Sequence, residues 1–93
     1  MDQNIIHNLI RKSLNGDLKS FEVLIDKYQD RIFRLILGIV KNHATSQEIT
    51  QDVFIKSWKH LNKYDFEYNF KSWIYKIAVN ESLNTLKKTR VFE

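Results

Sequence analysis

Cysteine and proline are both absent from this 93-residue sequence, and glycine occurs only twice. Without a thiol there is no disulfide framework, no CxxC redox pair, no thiolate zinc site and no cysteine nucleophile. Such a chain suits a reducing cytoplasm, where we expect it. Long apolar runs are missing as well: the stretch Ile32 to Val40 is interrupted by Arg34, far short of the ~20 apolar residues of a membrane span. Residues 1 to 20 scatter Asp2, Arg11, Lys12, Asp17 and Lys19 among their apolar positions. With no continuous hydrophobic segment and no small-residue cleavage site, they do not read as a secretory signal. A chain of this length buries only roughly 60 to 65% of its unfolded surface, which allows one domain around one core.

Catalytic and metal chemistry find little support. His7, His43 and His60 fall on three separate segments with no HxxxH or HExxH spacing, so no metal site is expected. Neither GxxxxGK(S/T) nor GxGxxG occurs, and no cofactor is expected. The i,i+4 carboxylate pairs Asp26/Asp30 and Glu48/Asp52 read as solvated helix faces in preference to acid–base pairs. The chain is therefore not expected to be an enzyme.

The scarcity of helix breakers and the 3.6-residue periodicity predict an all-α, four-helix protein. A first helix, residues 3–14, places Ile5, Ile6, Leu9, Ile10 and Leu14 on one side, with Asp2 as N-cap and Asn15-Gly16 as terminator. Asp17 caps a second helix reaching about residue 41, whose inner stripe contains Leu18, Phe21, Leu24, Ile25, Tyr28, Ile32, Leu35, Ile36, Ile39 and Val40. Gly38 within it predicts close packing or a local bend. Thr45 and Glu48 form a capping-box pattern opening a third helix to about Leu61, with Ile49, Val53, Phe54, Trp58 and Leu61 inward. A loop over 62–69 precedes a fourth helix over 70–90. Val91, Phe92 and Glu93 follow without a stop signal, so more chain is expected beyond them.

Charge and aromatics coincide near the C-terminal end. Residues 59–93 hold seven bases against four acids, and seven of the twelve aromatics lie between Trp58 and Tyr75. On the fourth helix, Trp73, Lys76, Asn80, Asn84 and Lys87 recur at steps of 3, 4, 4 and 3 and share one flank. Lysines neutralise phosphates, Asn pairs with base edges and aromatics stack on unpaired bases. Each aromatic taken singly is more often core; the whole stripe, with Tyr64, Phe66 and Tyr68 on the preceding loop between Lys63 and Lys71, favours single-stranded nucleic acid.

Three segments carry a family resemblance. Gly16-Asp17-Leu18-Lys19-Ser20-Phe21-Glu22-Val23-Leu24 with Tyr28, then Gln51-Asp52-Val53-Phe54-Ile55-Lys56-Ser57-Trp58, then Phe70-Lys71-Ser72-Trp73-Ile74-Tyr75-Lys76-Ile77-Ala78-Val79-Asn80 resemble, in order and spacing, region 2 of bacterial RNA polymerase sigma factors of the extracytoplasmic-function (ECF) type. The resemblance spans about residues 5–90. It implies a helical domain that binds the clamp helices of the polymerase β′ subunit and recognises and melts the promoter minus-10 element.

By position, Glu48, Gln51, Asp52, Ile55, Lys56 and Trp58 match the family's polymerase-binding helix. The loop Tyr64 to Asn69 matches the segment that pockets a flipped non-template-strand base. Lys63, Lys71, Ser72, Trp73, Lys76, Asn80, Asn84, Lys87 and Lys88 complete the DNA-binding set. The family usually has Asp at Glu48, commonly Asp at Asn84, and arginine at Lys87 and Lys88, where lysine keeps the charge without the bidentate fork.

An anti-sigma factor is a further expected partner, and a membrane is not. The family's second domain, a helix-turn-helix reading the minus-35 element, is missing after Glu93, so residues 1–93 are expected to form a single region 2 domain. Two other readings stay open: a protein-interaction module using the aromatic loop and third helix, and a nonspecific single-strand binder.

Overall fold

The computed structural model describes the backbone of residues 2–91 and side chains as far as Lys88; Phe92 and Glu93, the end of the run without a stop signal, lie outside the described residues. The described residues form four helices, α1 (Gln3–Leu14), α2 (Leu18–Val40), α3 (His43–Lys59) and α4 (Phe70–Val91), with a 3-10 turn at Leu61–Lys63 between the last two. No strand occurs among the described residues.

Local chemistry sets the boundaries. The Asp2 carboxylate accepts from the Ile5 amide at 3.0 Å and caps α1. Gly16 takes φ +92°, the left-handed region where a Cβ is strained, and turns the chain. Asp17 then caps α2, accepting from the Lys19 amide at 3.1 Å and the Ser20 hydroxyl at 2.9 Å. That hydroxyl, ahead of the amide bonds, holds the exposed Asp17 carboxyl below its usual range.

The start of α3 differs from the expected capping box. Asn42 is the cap, its side chain accepting from the Thr45 amide at 2.8 Å. Lys41 turns left-handed at φ 60° and ends α2 so abruptly that the next helix begins two residues later. Thr45 therefore stands inside the first turn.

The core joins Ile6 and Ile10 of α1; Phe21, Leu24, Tyr28, Ile32 and Ile36 of α2; Ile49, Val53 and Phe54 of α3; and Phe70, Ile74 and Ala78 of α4, with Leu61 and Tyr64 from the connection. Ser46, Ser57 and Ser82 are fully buried. Their hydroxyls donate to the carbonyls of Asn42, Phe54 and Ala78 at 2.6, 2.9 and 2.8 Å, so each buried polar group is satisfied within its own helix.

Several expected core positions lie outside it. Leu14 and Leu18 are exposed at the α1–α2 corner, and Ile5 is exposed in the first turn of α1. Trp58 is 38% exposed and packs on Phe21 from outside, ring centroids 4.9 Å apart and planes inclined at 59°. Gly38 faces solvent, with nothing within 4 Å of where a Cβ would stand, so close packing is not its reason for being glycine. No helix among the described residues is long and apolar enough to cross a membrane.

Candidate nucleic-acid interface

The connection from α3 to α4 is built on a tyrosine. Tyr64 is buried, and its ring meets Phe66, Phe70 and Trp73 with centroids 5.3, 5.5 and 5.4 Å away. Its hydroxyl donates to the Tyr68 carbonyl, which ties the loop's far end to its start. Burial raises the Tyr64 phenol above the ordinary 10.0. The expectation that Tyr64 offers a ring face to a base is therefore corrected: with one face of the fold on top of it, it supports the surface from beneath.

Phe66 is corrected in the same sense. Half-buried, it turns toward α1, with the His7 ring 5.1 Å away at an interplanar angle of 79° and the Arg11 guanidinium carbon 5.0 Å from its centroid. Gln3 in turn reaches the His7 ring at 3.0 Å. These α1 residues were missed by the sequence reading, because nothing local links them to a loop more than fifty positions away.

The exposed face of the loop belongs to Tyr68, which is 65% accessible. With Ser72, Trp73 and Lys76 it lines an open pocket of about 290 Å³. Trp73 is half-buried, resting on Phe70 at 5.6 Å, so one part of its indole is anchored and the rest faces the pocket. Asn69 caps α4, its side-chain oxygen accepting from the Lys71 amide at 2.9 Å. Its amide group is thus already engaged on one side. Lys63, Lys71, Ser72, Lys76, Asn80, Asn84, Lys87 and Lys88 are all exposed. Helical spacing places Asn80, Asn84 and Lys87 in line beyond Lys76 of the pocket.

The α3 residues do not share one stripe. Glu48, Gln51, Asp52 and Ile55 form its outer ridge, all exposed, Ile55 at 53%. Gln51 borders a groove toward α2 with Gln29, Phe33 and His43. Asp52, Ile55 and Lys56 line one toward α4, of about 380 Å³, together with Lys59, His60 and Glu81. Lys56 pairs with Glu81 of α4, the one ion pair among the described residues, and Trp58 lies in a third groove beside Leu14 and Gly16. Glu81 also escaped the sequence reading; its place on the α4 edge facing α3 was its only signal. No group of three or more metal-ligating side chains occurs among the described residues.

The fold matches a known class. The sequence model of the family described as Sigma-70 region 2 matches residues 24–91, and the chain belongs to that family, whose members are transcription initiation factors and not enzymes. It is 33% identical over 78 residues to the RNA polymerase sigma-H factor of Pseudomonas aeruginosa, covering 84% of this chain and 40% of that protein. It is 27% identical over 86 residues to the ECF RNA polymerase sigma factor SigW of Bacillus subtilis, covering 92% and 46%. The chain thus spans under half the length of these curated relatives. Among solved structures it resembles an engineered region 2 of sigmaE, determined by NMR in complex with GTAAAA, at TM-score 0.79 and 30% identity over 95% of this chain and 87% of that one. The domain is a sigma region 2 of the ECF type.

Proposed function

We propose that this domain joins core RNA polymerase to the promoter minus-10 element and helps open it. The outer ridge of α3 docks on the clamp helices of the β′ subunit. The pocket of Tyr68, Ser72, Trp73 and Lys76 receives a base flipped from the non-template strand, while Asn80, Asn84, Lys87 and Lys88 follow the strand along α4. No bond is made or broken. Each stacked step lost on melting costs roughly 1.4 kcal/mol, and a base stacked on an aromatic returns roughly 1 to 3 kcal/mol, so capture of one or two bases is enough to bias a short opening. The polymerase supplies the remaining grip. An anti-sigma factor covering the same exposed faces would hold the domain inactive, and the site of action is the cytoplasm.

The observation that carries the reading is the pocket itself, in which an anchored indole, an exposed phenol and an ammonium converge on one opening. It is also supported by the related sigmaE region 2 solved with GTAAAA.

The test presents randomised single strands to the chain bound to core polymerase and compares Trp73→Ala, Asn80→Ala and a Gln51→Ala/Asp52→Ala pair, with folding followed by circular dichroism. Trp73→Ala is expected to cost 5- to 100-fold in strand affinity, corresponding to about 1 to 3 kcal/mol, and the α3 pair to release the polymerase. Unchanged strand binding in both α4 variants would reject the pocket.

A further inference from the structure

The turn 65–68, which presents Tyr68, is closed on itself. The Tyr68 amide donates to the Asp65 carbonyl at 2.9 Å, and the Asp65 carboxylate accepts from the Glu67 amide at 2.9 Å. Asp65, Glu67 and Tyr68 are exposed, and Phe66 alone of the four is half-buried. By its side chains the turn is therefore seated on α1 through one ring, which meets the His7 ring at 5.1 Å and the Arg11 guanidinium at 5.0 Å. His7 also lies edge-on to Tyr64, the buried ring beneath the loop, with centroids 6.3 Å apart.

His7 fits this place in one charge state. The Gln3 side-chain nitrogen lies 3.0 Å from His7 Nε2. An amide nitrogen donates and does not accept, so Nε2 is the unprotonated acceptor of a neutral imidazole. A proton at Nε2 ends that bond. The imidazolium so formed has Arg11 four positions on, with Gln3, Asn4 and Ile10 at the other neighbouring positions of α1, so its own helix offers it a like charge and no acid. From the connection, the charged groups are Lys63, Asp65 and Glu67, all exposed, and the titratable one is the Tyr64 phenol, which burial raises above the ordinary 10.0 and so keeps neutral. No carboxylate forms an ion pair with His7 among the described residues. Two cations then compete for the one Phe66 ring.

We propose that His7 is a positioning residue for the strand pocket: its neutral imidazole seats the turn 65–68 through Phe66, and protonation unseats the turn and weakens capture of a single strand. The inference rests on the function proposed above. The strand-binding arrangement favours the neutral ring, so affinity is full above the range in which histidines change charge, about pH 5 to 8, and falls as pH drops through it. The sign separates this role from a phosphate contact, because an imidazolium that met phosphates would bind more tightly in acid and steepen the salt dependence. His43 and His60 lie elsewhere, against Phe33 and in the α3–α4 groove, and serve as controls.

The test follows fluorescence anisotropy of a labelled strand from the randomised pool between about pH 8 and 5.5, and the NMR ring signals of His7, Phe66 and Tyr68 in the free chain over the same range. The parent chain is expected to lose about two- to fivefold in affinity, the equivalent of one exposed cation–π contact, with Phe66 and Tyr68 shifting at the His7 midpoint. His7→Phe, which keeps a ring against Phe66 and has no proton to gain, holds the parent's high-pH affinity throughout. The smaller His7→Gln is equally flat with pH, and a His43→Gln/His60→Gln pair keeps the parent's profile; folding of each is followed by circular dichroism. The proposal is overturned if the His7 variants retain the parent's pH dependence, or if affinity rises in acid through His7. Should no strand bind at any pH, the function proposed above fails and the NMR arm decides alone: a Tyr68 signal that ignores the His7 midpoint overturns the seating, and one that follows it upholds it.

Discussion

The α3 ridge and the surface around the start of α4 are assembled in different ways. Glu48, Gln51, Asp52 and Ile55 project from one uninterrupted helix, and their exposure follows from spacing alone. The other surface needs a loop, a helix start and α1 together: Tyr68 is displayed because Tyr64 is buried under it, bonded to its carbonyl, and because Phe66 is turned away onto His7 and Arg11. A ridge of the first kind tolerates loss of a single side chain, whereas a surface of the second kind fails when its foundation does.

The sharpest way to break this contrast is to remove the foundation. Phe70 is fully buried, with rings of Tyr28, Tyr64 and Trp73 within 5.6 Å. Phe70→Ala should cost about 3 to 5 kcal/mol in denaturant unfolding. Under conditions where the variant is still folded, single-strand binding should fall much more than polymerase binding. Equal losses would mean that the two surfaces share one foundation.

A smaller change tests the loop alone. Tyr64→Phe removes the hydroxyl donated to the Tyr68 carbonyl and should cost about 1 kcal/mol. The variant also has a pH signature. Burial raises the Tyr64 phenol above its unfolded value of 10.0, so the folded state favours the neutral form. That contribution is complete below pH 10.0 and is lost as pH rises from there through the folded value. Thermal melts between pH 8 and 11 should show a shallower alkaline decline in Tyr64→Phe, though not a flat one, since burial raises Tyr28 in the same direction.

The same contrast explains how much could be read from the chain. The helices, the Asp2 and Asp17 caps and most inner positions of α2 follow from local spacing and from side chains that reach only their own first turn. The α3 start escaped because Asn42 and Thr45, three positions apart, were both fit to cap it, and a left-handed Lys41 decided for Asn42. Leu14, Leu18 and Trp58 carry the right period but stand at a corner where no neighbouring helix covers them. Tyr64, Phe66 and Tyr68 alternate in sequence yet have three different fates, buried, turned inward and exposed, and only tertiary packing separates them. The ridge was thus largely legible, while the pocket was legible in its residues but not in their division of labour.

Arg11 sharpens the comparison further, because it lies on α1, outside the family match over 24–91. Its guanidinium over Phe66 is an exposed cation–π contact of about 0.5 to 1 kcal/mol. Arg11→Gln should weaken single-strand binding two- to fivefold through the loop. The salt dependence should stay as in the parent chain, since no phosphate contact is lost. A reduced salt slope would instead make Arg11 a direct DNA contact.

The least disruptive test concerns the link between the two surfaces. Lys56 on the α3 flank and Glu81 on α4 form an ion pair with side-chain exposures of 49% and 20%, and solvent screening limits such a pair to about 0 to 1 kcal/mol. Glu81→Gln should therefore leave denaturant stability within about 0.5 kcal/mol and leave single-strand binding unaltered. Its effect belongs to the groove of Asp52, Ile55 and Lys56, where the released ammonium changes the local charge and should alter polymerase affinity by less than about tenfold, or 1.4 kcal/mol. A larger loss in strand binding than in polymerase binding would show that the pair positions α4 for the nucleic acid, and the two surfaces would then have to be treated as one.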